Sequence, residues 1–331
     1  MNLQQAVFDE ILGQFPKKSE AVKTLSELFQ TGQNAIYRRM RGESILTPDE
    51  LALLAKHFNI SLDDIIHEAS DNVLFSFPPA TQKVKDFTSY LNSLTKAMSP
   101  LHEFSNGEVK YAAAEIPVFH YCFFPELIAF KLYTWGKTTW NFDYLKDQPF
   151  AFNLISPDAY AAAEQFLASY LKSKSTELWN LNVLDNTLNQ IEYYAESGSI
   201  ANLDDALLLC DKMADLVLHL KEMAIQGKKF PVGAKSMEHR SDFVLFHNEM
   251  IFTNNTIIVS TEVGKAIFST LGNPNFIRGT DKRVTVFIEE WFDEIMVKSQ
   301  PISSHAEKAR NQYFNRLARK VAQTKLRIDA M

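Results

Sequence analysis

The stretch TGQNAIYRRMRGES, residues 31–44, carries three arginines, and its single acid, Glu43, comes next to last. On a helix, Ile36 and Met40 share one side and suit a core. Gln33, Asn34, Tyr37, Arg38 and Arg41 share the opposite side. Side-chain amides can bond adenine bidentately, and arginines can bond guanine or phosphate in the major groove. A recognition helix uses its first residues on base edges while flanking cations hold the backbone. The spacing predicts such a helix over 32–41, the second of a helix-turn-helix. The plain alternative is a solvated face on a helical protein.

Other residue types with chemistry are sparse. There is no Walker loop, GxGxxG, HExxH or GxSxG, so no catalytic residue and no cofactor is assigned. His120 and Cys122 in HYC offer two metal ligands, yet they sit among Phe and Tyr, and packed core is the expectation. No metal is assigned. Asp215 and His219 lie four apart on a helix, which predicts a surface hydrogen-bonded pair. Tyr121, Phe123, Phe124, Phe130, Tyr133, Trp135 and Trp140 could line an apolar pocket, but core packing is the favoured reading. Near the C-terminus, Lys308, Arg310, Arg316, Arg319, Lys320, Lys325 and Arg327 surround Tyr313, Phe314, Leu317 and Val321. The expected form is a basic amphipathic helix docked by its apolar stripe.

Residues 1–70 read as about five short helices. Leu3, Val7 and Ile11 lie on one face of the first. Ser19 is the expected cap of a second, with Val22, Leu25, Ser26 and Phe29 at helical spacing. In TPDELALLAKHF, Thr47 is the N-cap, Pro48 the first helical residue and Glu50 the return partner, which together predict a capping box. Leu51, Leu54, Ala55 and Phe58 form its stripe, and Ser61 opens a shorter copy of the pattern. Pro78 and Pro79 break the chain, which places a linker at 71–82. Residues 83–230 are helical by period, with 111–155 ambiguous between buried strand and helix. From 232 the β-branched and aromatic runs predict an antiparallel meander. A helix follows with Phe287, Ile288, Trp291 and Ile295 on one face.

Leu25 and Ser26, then Ile36 followed six residues later by Gly42, then TPDELALLAKHFNISLDDII, resemble the Cro/C1-type (XRE-like) helix-turn-helix regulators over residues 15–67. Two positions depart from that pattern. Gln30 stands where the family has a turn glycine, and Met40 where it has an acid. The resemblance implies a lambda-repressor-like DNA-binding domain acting as a dimer. It implies that Gln33, Asn34 and Tyr37, with Arg38, meet bases, and that Arg39, Arg41, Lys17 and Lys18 meet phosphate. VTVFIEEWFDEIMVKSQPIS also resembles the close of phospholipase-D-like sensor domains. The HxKxxxxD pattern of those enzymes is absent, because Gln226 stands where Asp is needed after His219 and Lys221.

With 331 residues, 46% of them apolar, the chain is long enough for two or three domains. Its net charge of −6 means that nucleic-acid affinity must come from a local patch. Cys122 and Cys210 read as free thiols in a reducing compartment. No basic leader precedes an apolar run, and no apolar run reaches membrane-span length. The whole reads as a mainly α protein with a smaller α+β part. The expectation is a cytoplasmic, homodimeric, sequence-specific regulator that binds double-stranded DNA. It is not expected to be an enzyme or to meet a membrane. Its C-terminal region dimerises and can sense a small-molecule or protein effector. The rival readings are a docking module that uses the helix-turn-helix on protein, and an enzyme with an accessory DNA-binding domain.

Overall fold

A computed structural model describes residues 2–58, 60, 62–67, 73–77, 84–103, 106–234, 240–250 and 254–331. The chain divides into two compact units, Met1–Leu74 and Phe75–Met331.

The first unit holds five short helices: α1 Leu3–Gly13, α2 Lys18–Leu28, α3 Gln33–Met40, α4 Pro48–His57 and α5 Leu62–His67. Val7, Phe8, Ile11, Val22, Leu25, Ile36, Met40, Leu46, Leu54, Phe58 and Ile65 make its separate core. The Thr47–Glu50 capping box is present, with Pro48 in the first turn. Lys17, not Ser19, precedes α2, so Ser19 falls inside the first turn. Ser61 lies outside the described residues.

The second unit is a mixed sheet between helical layers. In chain order it comprises α6 Phe87–Glu103, β1 Glu108–Ala113, α7 Val118–Tyr121, α8 Pro125–Thr138, α9 Pro157–Lys172, β2 Lys174–Trp179, α10 Asp185–Glu196 and α11 Leu203–Gln226. Then come β3 Phe243–His247, β4 Thr256–Thr261, β5 Gly264–Thr270, β6 Phe276–Gly279, α12 Lys282–Val297, β7 Gln300–Pro301 and α13 Glu307–Asp329. The strand order is β6-β5-β4-β1-β2-β3-β7.

This corrects two sequence expectations. Residues 83–230 are not wholly helical, because they supply the two central strands β1 and β2, paired in parallel. The sheet is not a simple antiparallel meander either. β3 runs parallel to β2, while β4, β5 and β6 continue antiparallel from β1, and β7 pairs antiparallel with β3. β1 and β2 are each only six residues long and alternate in burial over their first four, and β2 buries Ser175 and Glu177 on its inner face, so the apolar pattern of a strand is weak in sequence. Within the expected 71–82 linker, Ser76 makes an isolated antiparallel bridge to β6. Ser76 exchanges backbone hydrogen bonds with Arg278 on β6 at 2.7 and 2.8 Å. Pro78 and Pro79 lie outside the described residues.

Strand pleating sorts the core. Tyr111, Ala113, Trp179, Phe243 and Leu245 face the large helical layer. Ala112, Leu178, Ile258 and Ile267 face α12, meeting Phe292 and Ile295. Ile288 and Trp291 pack there as expected, but Phe287 is 65% exposed and leaves that face.

Candidate nucleic-acid interface and buried polar centres

α3 is anchored by two buried side chains, Ile36 and Met40. The helix enters through Gln30, whose φ of +50° is left-handed. That is the conformation a glycine would adopt without a Cβ penalty. The Ser26 hydroxyl closes the turn on the Thr31 carbonyl. The exit is a Schellman turn. Gly42 has φ +75°, its N–H meets the Arg39 carbonyl at 3.0 Å, and the Glu43 N–H meets the Arg38 carbonyl at 2.9 Å.

A third support was invisible in sequence. Gln4 on α1 is buried, and its amide donates to the carbonyls of Arg39 at 2.6 Å and Ser44 at 2.8 Å. Its oxygen accepts from the Leu46 N–H at 2.8 Å. One glutamine thus ties α1 to the C-terminal end of α3 with three hydrogen bonds. Helical spacing puts Gln4 on the face of Val7, Phe8 and Ile11, but no local spacing shows which backbone groups it meets there.

The outer face holds Gln33, Asn34 and Arg38, all exposed, with Arg41 past the helix end. The side chains of Gln33 and Asn34 make no hydrogen bond to described residues. Tyr37 is half-buried against the core and shows only part of its ring. Arg38 is 63% exposed and lies 3.7 Å from Glu43. Arg41 bonds Glu43 through Nε at 2.6 Å and Nη2 at 3.2 Å. That contact holds the Glu43 carboxyl below its usual range. Glu43 is thus an anion already seated between two guanidinium groups. Lys17 and Lys18 are exposed at the start of α2.

Arg39 departs from its expected role at phosphate. It is only 16% exposed and is ion-paired to Glu50 at 2.6 Å. Its guanidinium lies over the Phe29 ring at 5.3 Å. Because Glu50 also closes the capping box, Arg39 joins α3 to α4 and does not face solvent.

The second unit holds two buried polar centres. In the first, Glu115 accepts from Lys131, Tyr121 and Thr187 on one oxygen, and from Asn186 and Asn273 on the other. Burial alone would push its carboxyl up. The Lys131 charge and the hydrogen bonds hold it below the ordinary range. In the second, Glu177 on β2 accepts from His120 at 3.0 Å, Trp179 at 3.1 Å, Tyr170 at 2.8 Å and Ser175 at 3.0 Å. Burial lowers the His120 pKa against the opposing pull of Glu177; Nε2 faces the Glu177 carboxylate and Nδ1 has no partner. Beside it Lys229 is fully buried. Its ammonium donates to Ser173 O at 2.7 Å and Tyr170 O at 3.3 Å and sits 3.5 Å from the Tyr170 ring centre.

The HYC stretch is therefore core. His120 is spent on Glu177, and the Cys122 thiol faces the Val118 carbonyl at 3.7 Å. Among the described residues no three His, Cys, Asp or Glu side chains are grouped to hold a metal. The expected Asp215–His219 pair does not form. His219 is buried and donates to Phe230 O at 3.0 Å, while Asp215 pairs with Lys212. Burial lowers the His219 pKa to about 4.

Tyr121, Phe123, Phe124, Phe130, Tyr133 and Trp135 are buried in the core, with Trp140 packed at its margin. The α13 stripe of Tyr313, Phe314, Leu317 and Val321 is buried, and α13 packs along α11 and α10. Four of its cations are held by acids: Arg316 by Glu249, Lys320 by Asp185, Lys325 by Asp211 and Arg327 by Glu192. A fifth, Arg310, is buried and donates to Ser304 O.

No protein-family model, curated protein or solved structure matches the chain. Among the described residues no helix is long and apolar enough to cross a membrane.

Proposed function

We propose that the chain is a sequence-specific DNA-binding transcriptional regulator of the Cro/C1 type, with a lambda-repressor-like first unit. The observation that carries the reading is the outward face of α3. Gln33, Asn34 and Arg38 stand clear of the core on a short helix fixed at both ends, and Arg41 flanks them. In this reading Gln33, Asn34 and Arg38 address base edges, aided by the exposed part of Tyr37. Arg41, Lys17 and Lys18 address phosphate, and Arg39 supports the helix from behind. One short helix supplies few base contacts, so two copies would bind a two-part site. The second unit would pair the copies and sense a signal, in the cytoplasm.

The test is selection of genomic fragments by the full-length protein at two salt concentrations. A short two-part motif is expected, with affinity falling as salt rises by a logarithmic slope of about 0.9 per phosphate contacted. A Gln33/Asn34/Arg38 triple alanine variant should keep its fold and lose the motif. Equal enrichment by that variant, or salt-independent binding, would reject α3 as the reading element.

A further inference from the structure

Between α6 and the sheet lies a cavity of about 130 Å³. Its floor is a row of side chains that the pleat sends to one face. Tyr111 on β1 pairs in register with Ile257 on β4, which pairs with Phe268 on β5. Its roof is the inner stripe of α6: Tyr90, Leu94, Ala97, Met98 and Leu101, spaced by three or four residues. Phe119, Trp135 and Phe166 close the inner end, and the exposed Ala97 marks the surface side.

Core this rich in aromatics ordinarily packs without voids. Here the space stays open, and polar side-chain atoms reach it without a protein partner. Tyr90 and Tyr111 are 2% and 5% exposed and both line the cavity. Neither hydroxyl meets a hydrogen-bond partner among the described residues. Asn255 uses its oxygen to hold the N–H groups of Ala114 and Glu115, and its NH₂ likewise finds no described acceptor. Groups placed like this bond whatever fills the space, and a ligand that offers an oxygen acceptor can replace water there. The one charged group in the wall, Glu115, is saturated by five donors and neutralised by Lys131. An ion entering here would find no counter-charge.

We propose that this cavity binds a small, uncharged, mainly apolar molecule, of about one aromatic ring, carrying a carbonyl or hydroxyl oxygen. Size sets the ring, since a cavity of roughly 150 Å³ lined by apolar side chains takes up benzene. The oxygen accepts from the tyrosine hydroxyls and the Asn255 amide. This names a ligand class for the sensing role proposed above, but uptake is measured without DNA. Failure here therefore leaves DNA binding standing, and the reverse holds.

The experiment is calorimetric titration of the full chain with acetophenone, phenol, ethylbenzene and benzoate. Acetophenone or phenol should bind saturably, one per chain, at least about tenfold tighter than ethylbenzene or benzoate. Tyr111→Phe keeps the ring and should weaken the oxygen-bearing probe about tenfold. Val259→Phe adds a ring to the wall and should abolish uptake, with circular dichroism confirming the fold. The proposal is overturned if the folded wild type takes up neither acetophenone nor phenol. It is equally overturned if ethylbenzene or benzoate binds as well, or if Tyr111→Phe leaves the affinities unchanged.

Discussion

Glu43 decides how much of the basic patch is available. Its carboxylate sits between Arg38 and Arg41, as a phosphate would. Exposed pairs of this kind are weak and screened by salt, so in the proposed DNA-binding role a phosphate would displace the carboxylate at some loss of affinity. Glu43→Gln is expected to raise DNA affinity about threefold to tenfold at low salt, with the preferred sequence unchanged. Binding isotherms at two salt concentrations check this, and a fall in affinity would refute it. At Lys229 the same scale of reasoning gives a pH dependence. Burial lowers its pKa to about 7, against an ordinary 10.5, with Glu177 opposing the shift. Between those values the unfolded chain binds a proton that the folded chain lacks. Stability therefore rises with pH above about 7, by at most ~1.4 kcal/mol per unit, and this contribution is lost as pH falls to 7. Lys229→Met should flatten the rise in urea midpoints between about pH 7 and 9. An unchanged slope would show that another group carries it.

At the scale of elements, the turn before α3 carries strain that the sequence already marks. Gln30 occupies a left-handed position that costs a non-glycine residue about 1 kcal/mol. Gln30→Gly is therefore expected to stabilise the first unit by up to ~1 kcal/mol, read as a higher melting temperature. Destabilisation would mean that the side chain does something the backbone does not reveal. The helices of this unit were legible because their signals are local. Thr47, Pro48 and Glu50 lie within four residues of one another, and Ile36 and Met40 are one turn apart. The misplaced cap at Ser19 was a local competition that Lys17 won without using its side chain. Arg39, given a phosphate role by the resemblance, is instead found ion-paired within the unit. Its period puts it at the edge of the exposed face, and only the approach of α4 supplies Glu50. The basic tail shows the same effect: Arg316, Lys320, Lys325 and Arg327 become ion pairs once α10, α11 and the residues after β3 pack beside it.

For the whole molecule, two units with separate cores are expected to unfold separately. Calorimetry should resolve two transitions. Gln4→Ala removes three buried hydrogen bonds of the first unit and should lower only one of them, by about 1–3 kcal/mol. A single transition that moves as a whole would show that the units unfold as one. Sequence alone determined the short helices, the Thr47–Glu50 capping box, the glycine that ends α3, and the helical period of α6, α11, α12 and α13. Each depends on neighbours a few residues away. The tertiary structure decided the rest. Strands β1 and β2 are six residues each and alternate in burial only over their first four, and β2 buries Ser175 and Glu177 where apolar residues would mark a strand. Tyr111, Ile257 and Phe268 meet only through strand register, and Glu115 finds Lys131, Asn186 and Asn273 across long stretches of chain. Contacts of that kind depend on which surfaces the whole fold brings together, and no local spacing encodes them.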